Sequence, residues 1–298
     1  MEANELIRGA YDLHVHSAPD VLPRKMNDID MAERIRQSGM GGYAIKSHFF
    51  CTSERAELMR TLYPDVDYVG TITLNSAVGG INPTAMEMAC RSGAKLVWFP
   101  TCDGEEERAH TFNSGPNKKL PFWARIIIEM KEAGIEAPTI NCLDQAGRLK
   151  KNVLDTLDVI AKYNVILTTG HISHREAFAL VPEATKRGVK RILITHATFP
   201  TTFYTVEEQR RFVEHGAKVE HCYTTWATGK CPWDVVVEQI RALGPEHVVL
   251  STDLGQSTAI YPDEGMLEWA KRLSEEGFSD EAIRTMMVHN PRSLLGLE

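Results

Sequence analysis

The sequence predicts one (β/α)₈ barrel of the TIM type. The 298 residues, 43% of them hydrophobic, are enough for a single large core. Eight short apolar segments rich in β-branched residues recur along the chain, and a segment of helical periodicity follows each one. No G-x-G-x-x-G follows a strand, which argues against a dinucleotide-binding sheet. An open doubly wound sheet stays compatible with this alternation, but eight repeats favour a closed barrel.

The predicted strands are bounded by Gly, Asn, Pro or Asp, as parallel strands with crossover helices usually are. Several of the intervening amphipathic segments end in Gly just before the next strand, which is typical of a helix C-cap. The eight strands are predicted at residues 10–16, 41–49, 68–75, 94–101, 164–171, 190–197, 217–224 and 247–253.

One interval, residues 102–163 between strands 4 and 5, is much longer than the others. It holds a polar loop, a helix around 121–133, a short strand-like segment TINCLD and a second helix. We interpret it as an insertion within one domain, 1–298. Loops that leave strand carboxyl ends build the active-site face of a barrel, so residues near 103–120 are expected to cover or line the pocket. A solvent-exposed excursion without a role is equally compatible.

Composition excludes several classes of partner. The formal net charge is −7 and there is no long basic cluster, so a nucleic acid is not expected. No basic start precedes an apolar run, and no window approaches the roughly 18 apolar residues of a membrane span. A soluble, cytoplasmic protein with a small-molecule substrate is expected. The six cysteines lack a C-x-x-C pair and are expected to be reduced and mostly buried, with Cys222 near a possible site.

Histidines recur at the carboxyl ends of the predicted strands, which places them on one rim of a barrel. In D-L-H-V-H, alternation along a strand predicts that Asp12, His14 and His16 share one face and that Leu13 and Val15 face the helices. Two imidazoles on one face can bind the same divalent ion, provided that each has a fixed partner for its other nitrogen.

Three further strands end in groups that ligate metals. His171 ends the fifth strand, His196 the sixth and Asp253 the eighth. A single histidine after a strand is usually structural, but four correlated placements favour a metal centre. A carboxylate beside a metal can take a proton from coordinated water and pass it to a leaving group, which is hydrolytic chemistry.

These motifs, together with the ending V-H-N-P-R-S-L-L-G-L, resemble the amidohydrolase superfamily of metal-dependent hydrolases over nearly the whole chain. The resemblance implies catalytic roles for Asp253 and His196, and a homo-oligomer. It also implies that the metal and catalytic set is His14, His16, His171, His196 and Asp253.

The fourth strand departs from that family, in which many members carry a bridging lysine carbamate or glutamate there. Lys95 lies at the wrong end of the strand. Lys46 and His48 instead share a face near the end of the second strand. Lys46 is a candidate bridging carbamate and metal ligand, a cation for an anionic substrate, or an ion-pair partner of Asp12. His48 is expected to ligate a metal or contact the substrate.

The remaining candidates for site residues are inferred only from their positions on predicted strands, helix starts and loops. Glu220 and His221 alternate on the seventh strand, and we favour Glu220 towards the site, as a substrate contact or a partner of a ligand, with His221 outward. His174 is expected at a helix start with Ser173 as N-cap. The loop candidates for substrate binding are Arg108, His110, Asn113, Gln256 and Tyr261.

The favoured activity is hydrolysis of a C–N or C–O bond in an amide, lactam, lactone or ester. A nitrogen-rich site with a carboxylate suits Zn, and Mn, Fe or Co fit the same ligands, with about one or two ions per chain. The alternatives are a metal-dependent decarboxylase or C–C lyase, a phosphoesterase, or an inactive barrel that serves as a binding protein.

Overall fold

The computed structural model describes residues 1–113, 115 and 120–297. Within them, eight parallel strands follow one another around a single sheet in chain order. Nearly every strand position is buried, as expected where helices cover one face and the barrel interior lies on the other. The strands are β1 Tyr11–Val15, β2 Gly42–Ile45, β3 Asp67–Thr73, β4 Leu96–Trp98, β5 Ile166–Thr168, β6 Ile192–Ile194, β7 Lys218–Cys222 and β8 Val248–Ser251.

Helices alternate with the strands and pack around them. Their ends follow local sequence signals: Asn27 forms a capping box before the second helix, and Gly39 ends it in the left-handed conformation. The helices are α1 Ala3–Leu6, α2 Asp28–Ser38, α3 Ser53–Leu62, α4 Pro83–Arg91, α5 Glu105–Asn113, α6 Phe122–Glu132, α7 Lys151–Tyr163, α8 His174–Lys186, α9 Val206–Val213, α10 Tyr223–Ala227, α11 Trp233–Leu243, α12 Pro262–Glu275, α13 Asp280–Arg284 and α14 Asn290–Leu295.

The barrel closes between β8 and β1. The amide of His16 donates to the carbonyl of Leu254 at 2.8 Å, and the amide of Asp253 donates to the carbonyl of His14 at 2.8 Å. Val15 and Leu254 form a parallel bridge. Closure confirms the predicted fold class, and it places the ends of the first and last strands side by side at one rim.

Two apolar clusters divide the core. The larger one includes Val97 and joins the outer faces of the strands to the helices. The smaller one includes Leu96 and Trp98, which flank Val97 and therefore point to the opposite side of β4. The smaller cluster thus fills the barrel interior. The ring of Trp98 in this cluster lies 5.2 Å from the ring of His14.

The strand β1 corrects one prediction. Its pairing with β2 shifts by a residue between Asp12 and Val15, which is a β-bulge. Leu13 therefore belongs to the interior cluster and does not face the helices. Asp12 lies between Tyr11 and Leu13, which both belong to the interior cluster, so its side chain points to the other side of β1, where its carboxylate accepts from the amides of Thr252 and His14. Strict alternation failed because a bulge inserts one residue and re-aims the side chains beyond it.

All eight strands exist, but each is shorter than predicted. His171, His196 and Asp253 therefore lie in the loops just after β5, β6 and β8. His196 and Asp253 have φ values of 55° and 54°, in the left-handed region that non-glycine residues rarely adopt. Such backbone strain concentrates at functional sites, where surrounding structure maintains it.

The long interval between β4 and β5 is an insertion that carries α6 and α7, as predicted, whereas part of the predicted polar loop forms the helix α5. The TINCLD segment forms isolated bridges at Ile140 and Leu143 and no named strand. Part of the polar loop, residues 114 and 116–119, lies outside the described residues. The insertion returns to the barrel beside Gly104, which bridges to Ile140.

The six cysteines are free thiols, five of them buried, as expected. In the described part of the chain, no helix is both long enough and apolar enough to cross a membrane.

Candidate metal centre

Three predicted ligands converge at the rim where the barrel closes. The Nε2 atoms of His14 and His16 each lie 3.2 Å from Oδ1 of Asp253. The imidazoles are buried, whereas the Asp253 side chain is 16% exposed. Their potential ligand atoms lie within 4.8 Å of one another, close enough to share one cation.

The two remaining predicted histidines continue this cluster. The ring of His196 lies 4.9 Å from that of His14 and 5.0 Å from that of His171. Its Nε2 lies 3.7 Å from Oδ2 of Asp253. Among the described residues, the buried Nδ1 of His196 has no hydrogen-bond partner. The five candidates thus form one continuous group.

A buried carboxylate orients His14. Glu220 on β7 is 1% exposed, and its Oε2 lies 3.2 Å from Nδ1 of His14. A carboxylate at Nδ1 favours the tautomer with the proton on that nitrogen, which leaves the Nε2 lone pair facing Asp253. This contact favours a positioning role for Glu220 over the predicted direct substrate contact.

The same arrangement recurs at His171. Its Nδ1 lies 3.0 Å from Oε2 of Glu107, a buried residue of α5. Nothing in the sequence marks Glu107, because it is the last of three consecutive glutamates and only the fold separates it from its exposed neighbours.

His16 has a different partner. Nη2 of Arg24 lies 3.1 Å from its Nδ1, and Arg24 is ion-paired with Asp20. Because a guanidinium only donates, this contact makes Nδ1 the acceptor and leaves the Nε2 proton pointing at Asp253. Coordination through Nε2 requires that proton to leave, so His16 fits an ion less directly than His14. Arg24 was also missed, since nothing in its local sequence marks it.

Lys46 is fully buried beside these histidines. Its Nζ lies 2.7 Å from Nε2 of His14 and 4.6 Å from the centre of the Trp98 ring. Burial lowers the pKa of Lys46. The Asp12 carboxylate, in contrast, contacts Thr252 and the His14 amide. These contacts favour a carbamate ligand or a substrate-binding cation at Lys46 over an ion pair between Lys46 and Asp12.

His48 lies on the rim beside His16, with ring centres 4.9 Å apart. Its Nδ1 lies 2.9 Å from Oγ1 of Thr101. Burial holds the pKa of His48 well below its usual value, so the ring is neutral at pH 7. This position is compatible with a ligand or a substrate contact.

Arg108 lies in the insertion with its guanidinium engaged. It donates to the Asp103 carboxylate and to the carbonyls of Cys102 and Ala137. These partners favour a structural role, holding the insertion against the barrel, over the predicted substrate contact.

The remaining loop candidates differ in position. Gln256 donates to the Asp253 carbonyl at 2.8 Å and so braces the loop after β8. Tyr261 stacks with the Arg34 guanidinium 3.8 Å from its ring centre. His110 and Asn113 are exposed on α5. Ser173 caps α8 at His174, as predicted.

Cys222 does lie next to the site. Its Sγ is 3.6 Å from Nδ1 of His14, and it groups with His14 and His196. Burial raises the pKa of the Cys222 thiol well above its usual value. Because Glu220 occupies the same imidazole nitrogen, we interpret Cys222 as a protonated neighbour of the ligands.

The charge states suit a cation. Burial alone raises the pKa of Asp253, but the neighbouring His14 and His16 hold it well below the usual value, so Asp253 is ionised. Burial keeps the pKa values of His16 and His196 well below the usual value, so both are neutral. The carboxylates of Glu220 and Asp253 oppose burial and raise the pKa of His14, so a divalent metal would displace a proton from that ring, whereas the neutral His16 and His196 and the ionised Asp253 already have the charges that such a metal binds. The orphaned Nδ1 of His196 and the carboxylate-oriented His14 and His171 also fit a metal site.

Comparison with known proteins identifies one family. The model described as "Family of unknown function (DUF6282)" matches residues 9–220, which include four of the five candidate ligands but not Asp253. No curated protein sequence matches the chain.

Several solved structures share the fold. An amidohydrolase from Pseudomonas aeruginosa is 9% identical, with coverage of 99% of this chain and 98% of its own and a TM-score of 0.63. The probable dipeptidase PvdM from the same organism is 11% identical, covering 99% and 96%, with a TM-score of 0.63. The lactonase Lmo2620 from Listeria monocytogenes is 12% identical, covering 99% and 96%, with a TM-score of 0.59. The predicted resemblance to amidohydrolase-type barrels is confirmed for the fold.

Proposed function

The chain belongs to the DUF6282 family, and from the convergence of its imidazole and carboxylate groups we propose that it is a metal-dependent hydrolase of a small molecule. The observation that carries the proposal is the placement of His14, His16 and Asp253 around one point at the barrel rim. Barrel enzymes hold their active sites at this end of the strands.

We propose Zn as the ion, because neutral imidazoles with one carboxylate suit it; Mn, Fe and Co fit the same donors. His14, His16 and Asp253 would hold it, with His171 and His196 completing the site or holding a second ion. Such an ion polarises a carbonyl group and lowers the pKa of coordinated water.

Asp253 is the proposed proton carrier. It is the most exposed member of its trio, so water can reach its carboxylate. Thr224 donates to Oδ2 at 2.8 Å, while Oδ1 faces the two histidines. A carboxylate fixed in this way can accept a proton from water and deliver it to the leaving group. His196, 3.7 Å away, is placed to stabilise it.

The proposed substrates contain a C–N or C–O bond next to a carbonyl: an amide, lactam, lactone or ester. Two of the fold relatives support this range, since one is named a lactonase and another a probable dipeptidase. Metal-assisted attack by water requires no nucleophilic serine or cysteine. The protonated state of Cys222 agrees with such a mechanism.

Lys46 has two proposed roles at this site. As a neutral amine it can attack CO₂, forming an N–C bond and releasing one proton, and the resulting carbamate would be an oxygen ligand next to His14 Nε2. Unmodified, it would be a cation for an anionic substrate. Its distance of 2.7 Å from His14 supports both roles equally.

A decarboxylase or C–C lyase is the second candidate. The end of β4, Trp98 followed by Phe99, carries neither lysine nor glutamate, which favours a single ion and keeps this chemistry available. Product analysis separates it from hydrolysis, because decarboxylation releases CO₂ and hydrolysis does not.

A substrate panel tests the proposal. Zn- or Mn-loaded protein is assayed with lactones, dipeptides and esters, then stripped with chelator and reloaded. We expect turnover that depends on metal and falls about 10²–10⁴-fold in Asp253→Asn. Asp263→Asn, in an ion pair with Arg34 away from the centre, is the matched control and should keep activity. Turnover that survives both metal removal and Asp253→Asn would contradict the proposal.

A further inference from the structure

Glu107 connects the insertion to the proposed metal centre. It lies in the first turn of α5 and is 5% exposed, whereas the adjacent Glu105 and Glu106 are exposed. Its Oε2 lies 3.0 Å from Nδ1 of His171 and accepts a hydrogen bond from Oγ1 of Thr201 at 2.5 Å. One carboxylate oxygen thus joins the loops that follow β4, β5 and β6.

A buried carboxylate is costly unless hydrogen bonds replace its water. The neighbouring cation, Arg108, is engaged by Asp103, so it does not neutralise Glu107. The partners of Glu107 are an imidazole N–H and a hydroxyl, which satisfy the carboxylate but leave its charge in place. The burial of Glu107 is therefore tied to its hydrogen bonds with His171 and Thr201.

The geometry at His171 matches that at His14. In both, a buried glutamate faces Nδ1 at 3.0–3.2 Å, which fixes the ring and directs Nε2 away from the glutamate. The ring of His171 then meets that of His196 edge-on, 5.0 Å between centres. Glu107 and Glu220, which are far apart in the chain, therefore orient His171 and His14 in the same way.

We propose that Glu107 is a positioning residue for His171 as a metal ligand, so that the insertion is part of the metal site and does more than cover it. This inference rests on the proposed function. Glu107 does not contact the substrate or the ion in this proposal; it controls the tautomer and the orientation of the His171 imidazole.

The test compares Glu107→Gln with Glu106→Gln, which removes the same charge from the exposed neighbour on the same helix. Affinity for Zn is measured by competition with a chromophoric chelator. The tautomer of His171 is read from ¹⁵N-imidazole NMR of metal-free protein. We expect a loss of affinity of about 10–100-fold in Glu107→Gln and no change in Glu106→Gln. The Nδ1–H signal of His171 should weaken or move in Glu107→Gln alone.

Thr201→Val provides a second variant, which keeps the carboxylate and removes one of its two hydrogen bonds. If Glu107→Gln does not fold, Thr201→Val carries the test, with an expected loss of affinity of a few fold. Thermal unfolding of the metal-free variants separates positioning from structure.

The outcomes are distinguishable. Parental affinity for Zn in Glu107→Gln, with a lowered melting temperature alone, would overturn the inference and leave the proposed function intact. Absence of Zn binding in the parent protein would overturn the proposed function itself, while the NMR signal still reports whether Glu107 sets the tautomer of His171.

Discussion

Glu220 and Asp253 contact opposite nitrogens of one imidazole: Oε2 of Glu220 lies 3.2 Å from Nδ1 of His14, and Oδ1 of Asp253 lies 3.2 Å from Nε2. Because both carboxylates face the same ring, its orientation is fixed before any ion binds. Preorganisation of this kind is the usual function of the groups behind a metal ligand.

Replacing Glu220 should therefore weaken metal binding. We expect Glu220→Gln to lower Zn affinity about 10–100-fold, because the amide supports the Nδ1–H tautomer of His14 less strongly than a carboxylate does. Isothermal titration or chelator competition measures this. Glu246→Gln, which is exposed before β8, should keep the parental affinity. Equal affinities in the two variants would contradict the role of Glu220.

His221 should make folding sensitive to acid. Both of its ring nitrogens lack hydrogen-bond partners in the described structure, and burial lowers its pKa to about 4. The unfolded chain, with a histidine pKa near 6.5, binds the proton first, so stability is present above that value and falls as pH drops towards 4. From this residue alone, about 2 kcal/mol should be lost between pH 7 and pH 5.

Urea unfolding of His221→Leu at both pH values tests this expectation. The variant should lose about 2 kcal/mol less than the parent over that interval, whereas His215→Leu, at an exposed position, should behave like the parent. A pH dependence unchanged in His221→Leu would show that other groups account for acid sensitivity.

The backbone just before His171 has a conformation and a close contact that require glycine at position 170. Gly170 has a φ of 61°, and an added Cβ would overlap the carbonyl oxygen of Phe99 and lie 2.7 Å from that of Pro100. Gly93, with a φ of 97°, has open space around the same atom and is the matched control. We expect Gly170→Ala to cost about 3 kcal/mol or more and Gly93→Ala about 1 kcal/mol in unfolding free energy. Similar costs for both would mean that the close approach at Gly170 relaxes easily.

Lys46 can be examined for the carbamate directly. Metal-loaded protein equilibrated with ¹³C-bicarbonate should give one protein-bound carbamate signal that is absent from Lys46→Met. The buried position of Lys46 beside His14 motivates the experiment. An unmodified Lys46 in metal-loaded protein would remove the carbamate role and leave that of a substrate-binding cation.

The fold could be predicted because its signals are local and repeated. Apolar segments followed by helical periods identified all eight strands, and the same periodicity placed α6 within the insertion. The convergence of the candidate histidines could be predicted because they lie at or just after the carboxyl ends of strands that meet at one rim. A cytoplasmic location and a homo-oligomeric state stay predictions.

The rest depended on contacts between distant residues. Glu107 contacts a histidine far along the chain, and Arg24 contacts one across a loop. No spacing in the sequence predicts either contact. The bulge in β1 placed Leu13 and His14 on the same side of the strand, and alternation along the sequence could not show this because strand register depends on pairing with β2. Strand ends were overestimated because the last apolar residues of each segment continue into ordered, buried loops.

Metal analysis of the purified protein shows whether the histidines at the barrel rim bind an ion. Protein prepared without added metal or chelator is measured by plasma mass spectrometry beside the double variant His14→Ala/His16→Ala. We expect about one or two equivalents of a divalent transition metal in the parent and their loss in the variant. A parent that holds no metal, even after reconstitution with Zn or Mn, would contradict the proposed metal centre.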